Sequence, residues 1–166
     1  MEYSNNIALR ALEPEDLELV HTIENDSSLW AWGALSQPIS HYTVRQYLAQ
    51  QHSDIYQDGQ LRLVITCDGK PVGIIDFTDF SPHHLRAEVG IVLLPSFHRK
   101  GIATEALHQI ALYATEHLHL ATLYAYVAEN NTTAQALFRR AGYTIVANLP
   151  NWIEGRHSAT LFLLHL

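Results

Sequence analysis

The residues able to do chemistry concentrate in one stretch, Glu88 to Leu107, EVGIVLLPSFHRKGIATEAL. Val89 to Leu94 is an unbroken apolar, largely β-branched run that reads as a buried strand, and Pro95 stops it by removing a ladder donor. His98, Arg99 and Lys100 then lead into Gly101, where backbone can come close to a ligand. A helix opening there aims unpaired N–H groups and a positive dipole end at whatever lies in front, which is the chemistry of an anion cradle. The same backbone logic also describes an ordinary strand-to-helix turn, and Arg99 with Lys100 also reads as a solvated basic pair.

The particular residues narrow these alternatives. His98-Arg99-Lys100-Gly101-Ile102-Ala103 resembles the Q/R-x-x-G-x-G/A signature of the GNAT superfamily of acetyl-CoA-dependent N-acetyltransferases, with His98 at the position usually held by Gln or Arg. Downstream, Asn131-Thr132-Thr133-Ala134 through Phe138 to Gly142-Tyr143 resembles the family's N-x-x-A-x-x-x-Y-x-x-x-G-F helix, with Phe138 at the Tyr position. Trp152 and Glu154, in the turn Asn151 to Arg156, resemble the late hairpin of the polyamine and ribosomal-protein acetyltransferase branches. The resemblance runs from about Ile7 to Leu164.

The resemblance implies direct attack of an amine on the thioester of acetyl-CoA, with no covalent enzyme intermediate. The pyrophosphate would meet the backbone N–H groups of Arg99, Gly101 and Ala103, with His98, Lys100, Ile102 and Thr104 around it. The pantetheine arm would lie along the edge of Ile91, Val92 and Leu93 as an added strand does, a strand N–H could polarise the thioester carbonyl, and Asn131, Phe138 and Arg140 would complete the cofactor set from the later helix. An alkylammonium with a pKa near ~10 must lose a proton before it can attack, and Glu88, at the start of the central strand, is the candidate base. Glu88 could instead pair with Arg86 or His84. Asp76 and Asp79 read as ligands for a substrate ammonium. Three residues apart on an extended strand, they should face opposite sides, leaving only one to join Glu88.

Phe138 removes the phenol expected to protonate the departing thiolate. A thiol with a pKa of ~8.5 leaves tolerably well without full protonation, and Tyr126 on the neighbouring strand, or Tyr143, could supply the proton; Tyr126 is equally a packed strand aromatic. Trp30, Trp32, Tyr42 and Tyr47 fall where the superfamily shapes its acceptor pocket, and could grip an alkylammonium or simply bury the early helices. Small amines and polyamines lead as acceptors. Protein N-termini are the second reading, and a non-catalytic acyl-CoA sensor the third.

Composition fits. A chain of 166 residues with 48% hydrophobic content supplies one core, so a single domain over 1–166 is expected. A formal charge of −7 with only ten Lys and Arg argues against nucleic acid. No apolar run approaches the ~18 residues that span a bilayer, and the polar start Met1 to Asn6 lacks a secretory signal, so a cytoplasmic protein without membrane contact is expected. Cys67 is a lone cysteine and reads as a strand residue. Despite eleven histidines, His83-His84 and His117-x-His119 lack further ligands at useful spacing, and no metal is expected. The resemblance admits a homodimer.

The elements that must position these residues follow from periodicity. Ile7 to Leu12 is a strand, Pro14 starts a helix with Glu15 and Asp16 in its first turn, and Ser40 caps a helix reaching about Gln51. Gln60 to Cys67 and Lys70 to Thr78 form a hairpin across Asp68-Gly69. Ile102, Ala106, Leu107, Ile110, Ala111 and Ala114 have helical spacing, Thr122 to Ala128 alternates as a strand, Asn131 opens another helix, and Tyr143 to Ala147 with His157 to Leu164 closes the sheet. The order gives an α/β domain. The resemblance adds a twisted, mostly antiparallel sheet of six or seven strands with about four helices, splayed between its two central strands.

Overall fold

The structure is a computed structural model that describes residues 6–30, 36–51 and 54–166. Seven strands form one sheet: β1 (Ile7–Ala11), β2 (Leu61–Cys67), β3 (Lys70–Ser81), β4 (Arg86–Leu93), β5 (Thr122–Ala128), β6 (Thr144–Ile153) and β7 (His157–His165), in the order β1-β2-β3-β4-β5-β7-β6. Among the described residues five α-helices accompany them: α1 (Leu17–Glu24), α2 (His41–Ala49), the single turn α3 (Ile55–Asp58), α4 (Ile102–Glu116) and α5 (Thr132–Arg140). The α3 turn has no counterpart in the sequence expectation. No helix among the described residues is long and apolar enough to cross a membrane.

Adjacent buried residues on the strands face opposite ways, so the sheet is covered on both sides. Ile65, Ile75, Phe77, Val89, Leu123 and Val127 pack with Ile102, Ala106, Leu107 and Ile110 of α4 and with Phe138 of α5. Val64 and Ile74 meet Leu19, Val20 and Ile23 of α1 and Val44 of α2 on the other face. Ile102, Leu107 and Ile110 are each at most 1% exposed, and burying such side chains contributes roughly 1.5–3 kcal/mol apiece. These contacts hold the start of α4 firmly at the end of β4.

Turn chemistry fixes the registers. Asp68 and Gly69, both at positive φ (51° and 78°), join β2 to β3, and the Asp68 carboxylate accepts from the Asn6 backbone N–H at 2.9 Å. The last two strands are longer than the apolar pattern indicates. β6 continues through Pro150 to Ile153 because it is the outer strand of the sheet, where a missing N–H costs no ladder bond. That extension carries Trp152 and Glu154 back toward the middle of the sheet.

One relationship between strands positions the site. Among the described residues β4 and β5 are the only parallel neighbours, and they pair for just three steps, Arg86↔Thr122, Ala87↔Leu123 and Glu88↔Tyr124. On its other side β4 stays paired with β3 as far as Gly73↔Leu93. From Val89 onward, therefore, β4 turns a row of backbone groups toward β5 with no strand to receive them.

Candidate active site

The splay opens a cleft of about 790 Å³, walled by Glu88 to Val92 of β4, by Ala125 to Ala128 of β5, and by Asn131, Ala134, Leu137 and Phe138 at α5. Its far side is closed by Ile23, Glu24, Trp30, Arg62, Asp76, Thr78, Trp152, Ile153 and Glu154. Ile91 and Val92 line the cleft directly. Leu93 lies beyond the lining and accepts, through its carbonyl, a hydrogen bond from the His98 ring at 2.9 Å.

That bond pins the cradle loop to the end of β4. Pro95–Phe97 forms a single 3-10 turn, Arg99 adopts φ 60°, and Gly101 adopts φ 77° as the N-cap of α4. Left-handed residues on both sides of Lys100 are the backbone conformation from which anion-binding nests are built. The first intrahelical bond of α4 is Glu105 N–H to the Gly101 carbonyl, so the N–H groups of Ile102, Ala103 and Thr104 have no acceptor within the helix. Lys100 holds its ammonium 5.1 Å from the Phe97 ring centre. Arg99 and Arg140 are exposed. At the start of α5, Asn131 Oδ1 caps the helix by accepting from Ala134 N–H at 3.1 Å, and Asn131 lines the cleft.

Glu88 is half-buried at the closed end of the splay and makes no ion pair among the described residues. Burial first, then the charges of Asp79 and Asp76, push its carboxyl above the ordinary glutamate range, with a Thr78 hydrogen bond acting in the opposite sense. Asp76 lines the cleft with Glu88 and Asp79 does not, as the alternation along β3 leads one to expect. Asp79 still acts on Glu88 electrostatically because of a bulge. The β3–β4 register shifts between Thr78 and Ser81, Asp79 takes φ 45°, and its carboxylate turns to accept from the Tyr124 hydroxyl. Asp76 sits on the face of its partner Gly90: a Cβ there would lie 2.5 Å from Asp76 Oδ1, so a side chain at that position would displace the carboxylate.

Asp76 is not free. Arg62 bonds Glu24 Oε1 at 2.7 Å and reaches Asp76 Oδ2 at 3.4 Å, while its guanidinium lies 5.7 Å over the Tyr47 ring. Burial raises the Asp76 carboxyl, and Arg62 offsets part of that rise. Arg62, Glu24 and Tyr124 escaped the sequence reading. Arg62 left a signal, since a cation inside the apolar run Leu61–Cys67 requires a partner.

Around the acceptor end, the Tyr126 ring lies 5.4 Å from Trp152 and 5.7 Å from Tyr124. Trp30 donates its indole N–H to the Glu24 carbonyl at 2.9 Å, keeping its ring against the cleft. Trp32 lies outside the described residues. Glu154, at φ 50° in the β6–β7 turn, stands 3.7 Å from Arg156. Phe138 is buried between Tyr143 and Phe162 and still borders the cleft. Tyr143 does not border it, and its buried hydroxyl has no hydrogen-bond partner among the described residues.

A parallel strand pair that splays beside a helix-capping cradle offers an open strand edge leading to an anion site, and comparison with known proteins gives its class. Residues 6–144 match the model of the acetyltransferase (GNAT) domain, and the chain belongs to that family of N-acetyltransferases. It is 30% identical over 159 residues to a spermidine N(1)-acetyltransferase of Escherichia coli strain K12, covering 95% of this chain and 84% of that one. It is 28% identical over 144 residues to the putative ribosomal N-acetyltransferase YdaF of Bacillus subtilis, with 84% and 79% covered. The crystal structure of spermidine N-acetyltransferase from Vibrio cholerae in complex with CoA and spermine shares the fold, at TM-score 0.81 and 24% identity over 96% of this chain and 95% of that one.

Proposed function

We propose that this chain, acting as one domain, moves an acetyl group from acetyl-CoA to a small primary amine, with polyamines foremost, and that Glu88 lies in the proton path. The observation that carries the reading is that Glu88, Asp76 and Glu154 line one cleft, with Asp79 adding its charge to Glu88 from beyond the lining. Three carboxylates beside an aromatic wall suit a cationic alkylamine. The E. coli relative named for spermidine points the same way.

The residues present fit the cosubstrate. The cleft follows an unpaired strand edge, the edge leads to a loop with two left-handed residues, and the loop leads to an open helix N-terminus. Arg99, Gly101 and Ala103 would hold the pyrophosphate through backbone N–H groups, Ile91 and Val92 the pantetheine arm through the strand edge, and Asn131 the same arm through its amide. Acetyl-CoA supplies a thioester whose carbonyl carbon is the electrophile.

The rest of the reaction falls to side chains. Glu154 and the part of Asp76 not satisfied by Arg62, both in the cleft wall, attract the ammonium, and Asp79 adds its charge from beyond the wall. Glu88, with a raised carboxyl, is a better proton acceptor near neutral pH than an ordinary glutamate. The Tyr126 hydroxyl, opposite β4 across the cleft, would return a proton to the thiolate in place of the phenol that Phe138 lacks. Cytoplasmic residence, where acetyl-CoA is at hand, and a homodimer belong to the same proposal.

A second reading, a peptide N-terminus as acceptor, draws on Arg62. Its guanidinium offsets one of the two negative charges of Glu24 and Asp76, which lowers the charge presented to a second ammonium and favours a singly charged acceptor. Thiol release measured against polyamines, small amines and short N-terminal peptides separates the two. Turnover on polyamines supports the first reading, turnover on peptides alone the second, and silence on every primary amine despite acetyl-CoA binding contradicts both.

A further inference from the structure

We propose that Glu18 and His21 of α1 and His41 of α2 form a binding site for a divalent transition metal such as zinc, outside the acetyl-transfer cleft. Sequence spacing gave no sign of it, because the third ligand comes from another helix twenty residues on. The ligand atoms of these three residues all lie within 4.8 Å of one another. Glu18 and His21 are three apart on α1 and so share one face. His41 Nε2 stands 3.2 Å from Glu18 Oε1, and the two imidazoles stack with centroids 3.7 Å apart and planes at 11°.

These separations suit one small cation. Zinc binds His nitrogen and carboxylate oxygen at about 2.0–2.2 Å in tetrahedral geometry, which sets neighbouring ligand atoms about 3.3 Å apart. The His41–Glu18 pair already has that spacing; the stacked rings direct their nitrogen lone pairs side by side, so binding requires the His21 ring to swing out of the stack toward the shared ion. Two imidazoles and one carboxylate select zinc, cobalt, nickel or copper over magnesium or calcium, which prefer oxygen alone. Three protein ligands leave a fourth position for water.

The backbone around the cluster is pre-positioned. Asn25, at the C-terminal end of α1, clamps Ile39 in both directions: its Oδ1 accepts from Ile39 N–H at 2.9 Å and its Nδ2 donates to the Ile39 carbonyl at 3.1 Å. Ser40 then caps α2 by accepting from Thr43 N–H at 3.1 Å. His41, the next residue, is thereby fixed relative to α1. Glu18 is 75% and His41 50% exposed at the side chain, so an ion can enter from solvent. A bound metal would staple α1 to α2, the helices that supply Glu24 to the cleft and Tyr47 to the face of Arg62.

The test uses the full chain, stripped with a chelator, and reads binding rather than turnover, so that its outcome is independent of the acetyl-transfer reading. Zinc titrated calorimetrically should bind one to one, and zinc at a hundredfold excess over Kd should raise Tm by about 5–10 °C. Magnesium at the same concentration should change nothing. Cobalt should give the intense visible bands of a four-coordinate site. His41→Ala and His21→Gln should each abolish the zinc response, whereas the double variant His83→Gln/His84→Gln, which removes an exposed histidine pair elsewhere, should keep it. Circular dichroism of each variant confirms folding, since His41 is half-exposed. Absence of zinc binding, or a response unchanged in His41→Ala, overturns the proposal.

Discussion

The Tyr124 hydroxyl on β5 donates a hydrogen bond to Asp79 on β3, reaching across the end of β4 where Glu88 sits in register with Tyr124. The bond is made possible by the bulge that follows Thr78. It anchors a carboxylate that would otherwise swing freely and places a second negative charge near Glu88. Burial and this bond push the Tyr124 phenol well above the ordinary tyrosine range, so it stays a donor at all working pH.

Tyr124→Phe should therefore loosen Asp79 without opening the core. Stability should fall by about 1 kcal/mol, the net worth of one such bond. KM for the amine should rise several-fold while KM for acetyl-CoA stays unchanged. Steady-state kinetics with each substrate varied in turn reads this split.

At the cradle, Gly101 faces open space, so a side chain would meet no neighbour there. Its constraint is the positive φ of 77°. Gly101→Val should keep the fold but twist the loop, at a conformational cost of about 1–2 kcal/mol that lowers Tm by several degrees. Affinity for CoA should drop roughly tenfold by calorimetry.

Arg62→Leu removes the cation shared by Glu24 and Asp76. The two carboxylates would be left half-buried without a partner, destabilising the chain by about 1–3 kcal/mol. Because Asp76 already sits above the ordinary aspartate range through burial, losing Arg62 should raise it further. For such a group the folded state binds its proton more tightly than the unfolded one, so stability declines as pH rises through the shifted range. Denaturant unfolding between pH 4 and 8 should show the variant losing more stability than wild type toward the upper end.

The cradle was legible because it is local: strand, proline, basic pair, glycine and helix follow within twenty residues, and α4 begins at Ile102 where the apolar spacing indicates. The splay was legible only through resemblance, since nothing in β4 or β5 alone says where their pairing ends. The Asp79 bulge was not legible, because alternation assumes a regular strand and Asp79 adopts a left-handed conformation without being glycine. Nor were long-range partners. Arg62 meets Glu24 from 38 residues away, and Trp152 meets Tyr126 only because β6 runs on past Pro150.

The substitution of Phe138 for the expected tyrosine gives a rescue experiment. Tyr126→Phe should lower kcat at least tenfold with little change in KM for acetyl-CoA, in line with loss of a proton donor. Because Phe138 borders the cleft, Phe138→Tyr in that background should recover a good part of the rate. A Tyr126→Phe variant as fast as wild type would assign that ring to packing against Trp152.

The central claim, that Glu88 accepts the amine's proton within this cleft, is tested most directly by the pH dependence of thiol release for wild type and Glu88→Gln. Since Glu88 must be ionised to act and its carboxyl is raised by burial and by Asp79 and Asp76, the wild-type kcat/KM should fall on the acid side at a pH above the ordinary carboxylate range of about 4.3. Glu88→Gln should lose about a hundredfold in kcat and that acid limb with it, while CoA binding stays intact. An unchanged rate and an unchanged acid limb in Glu88→Gln would contradict the account.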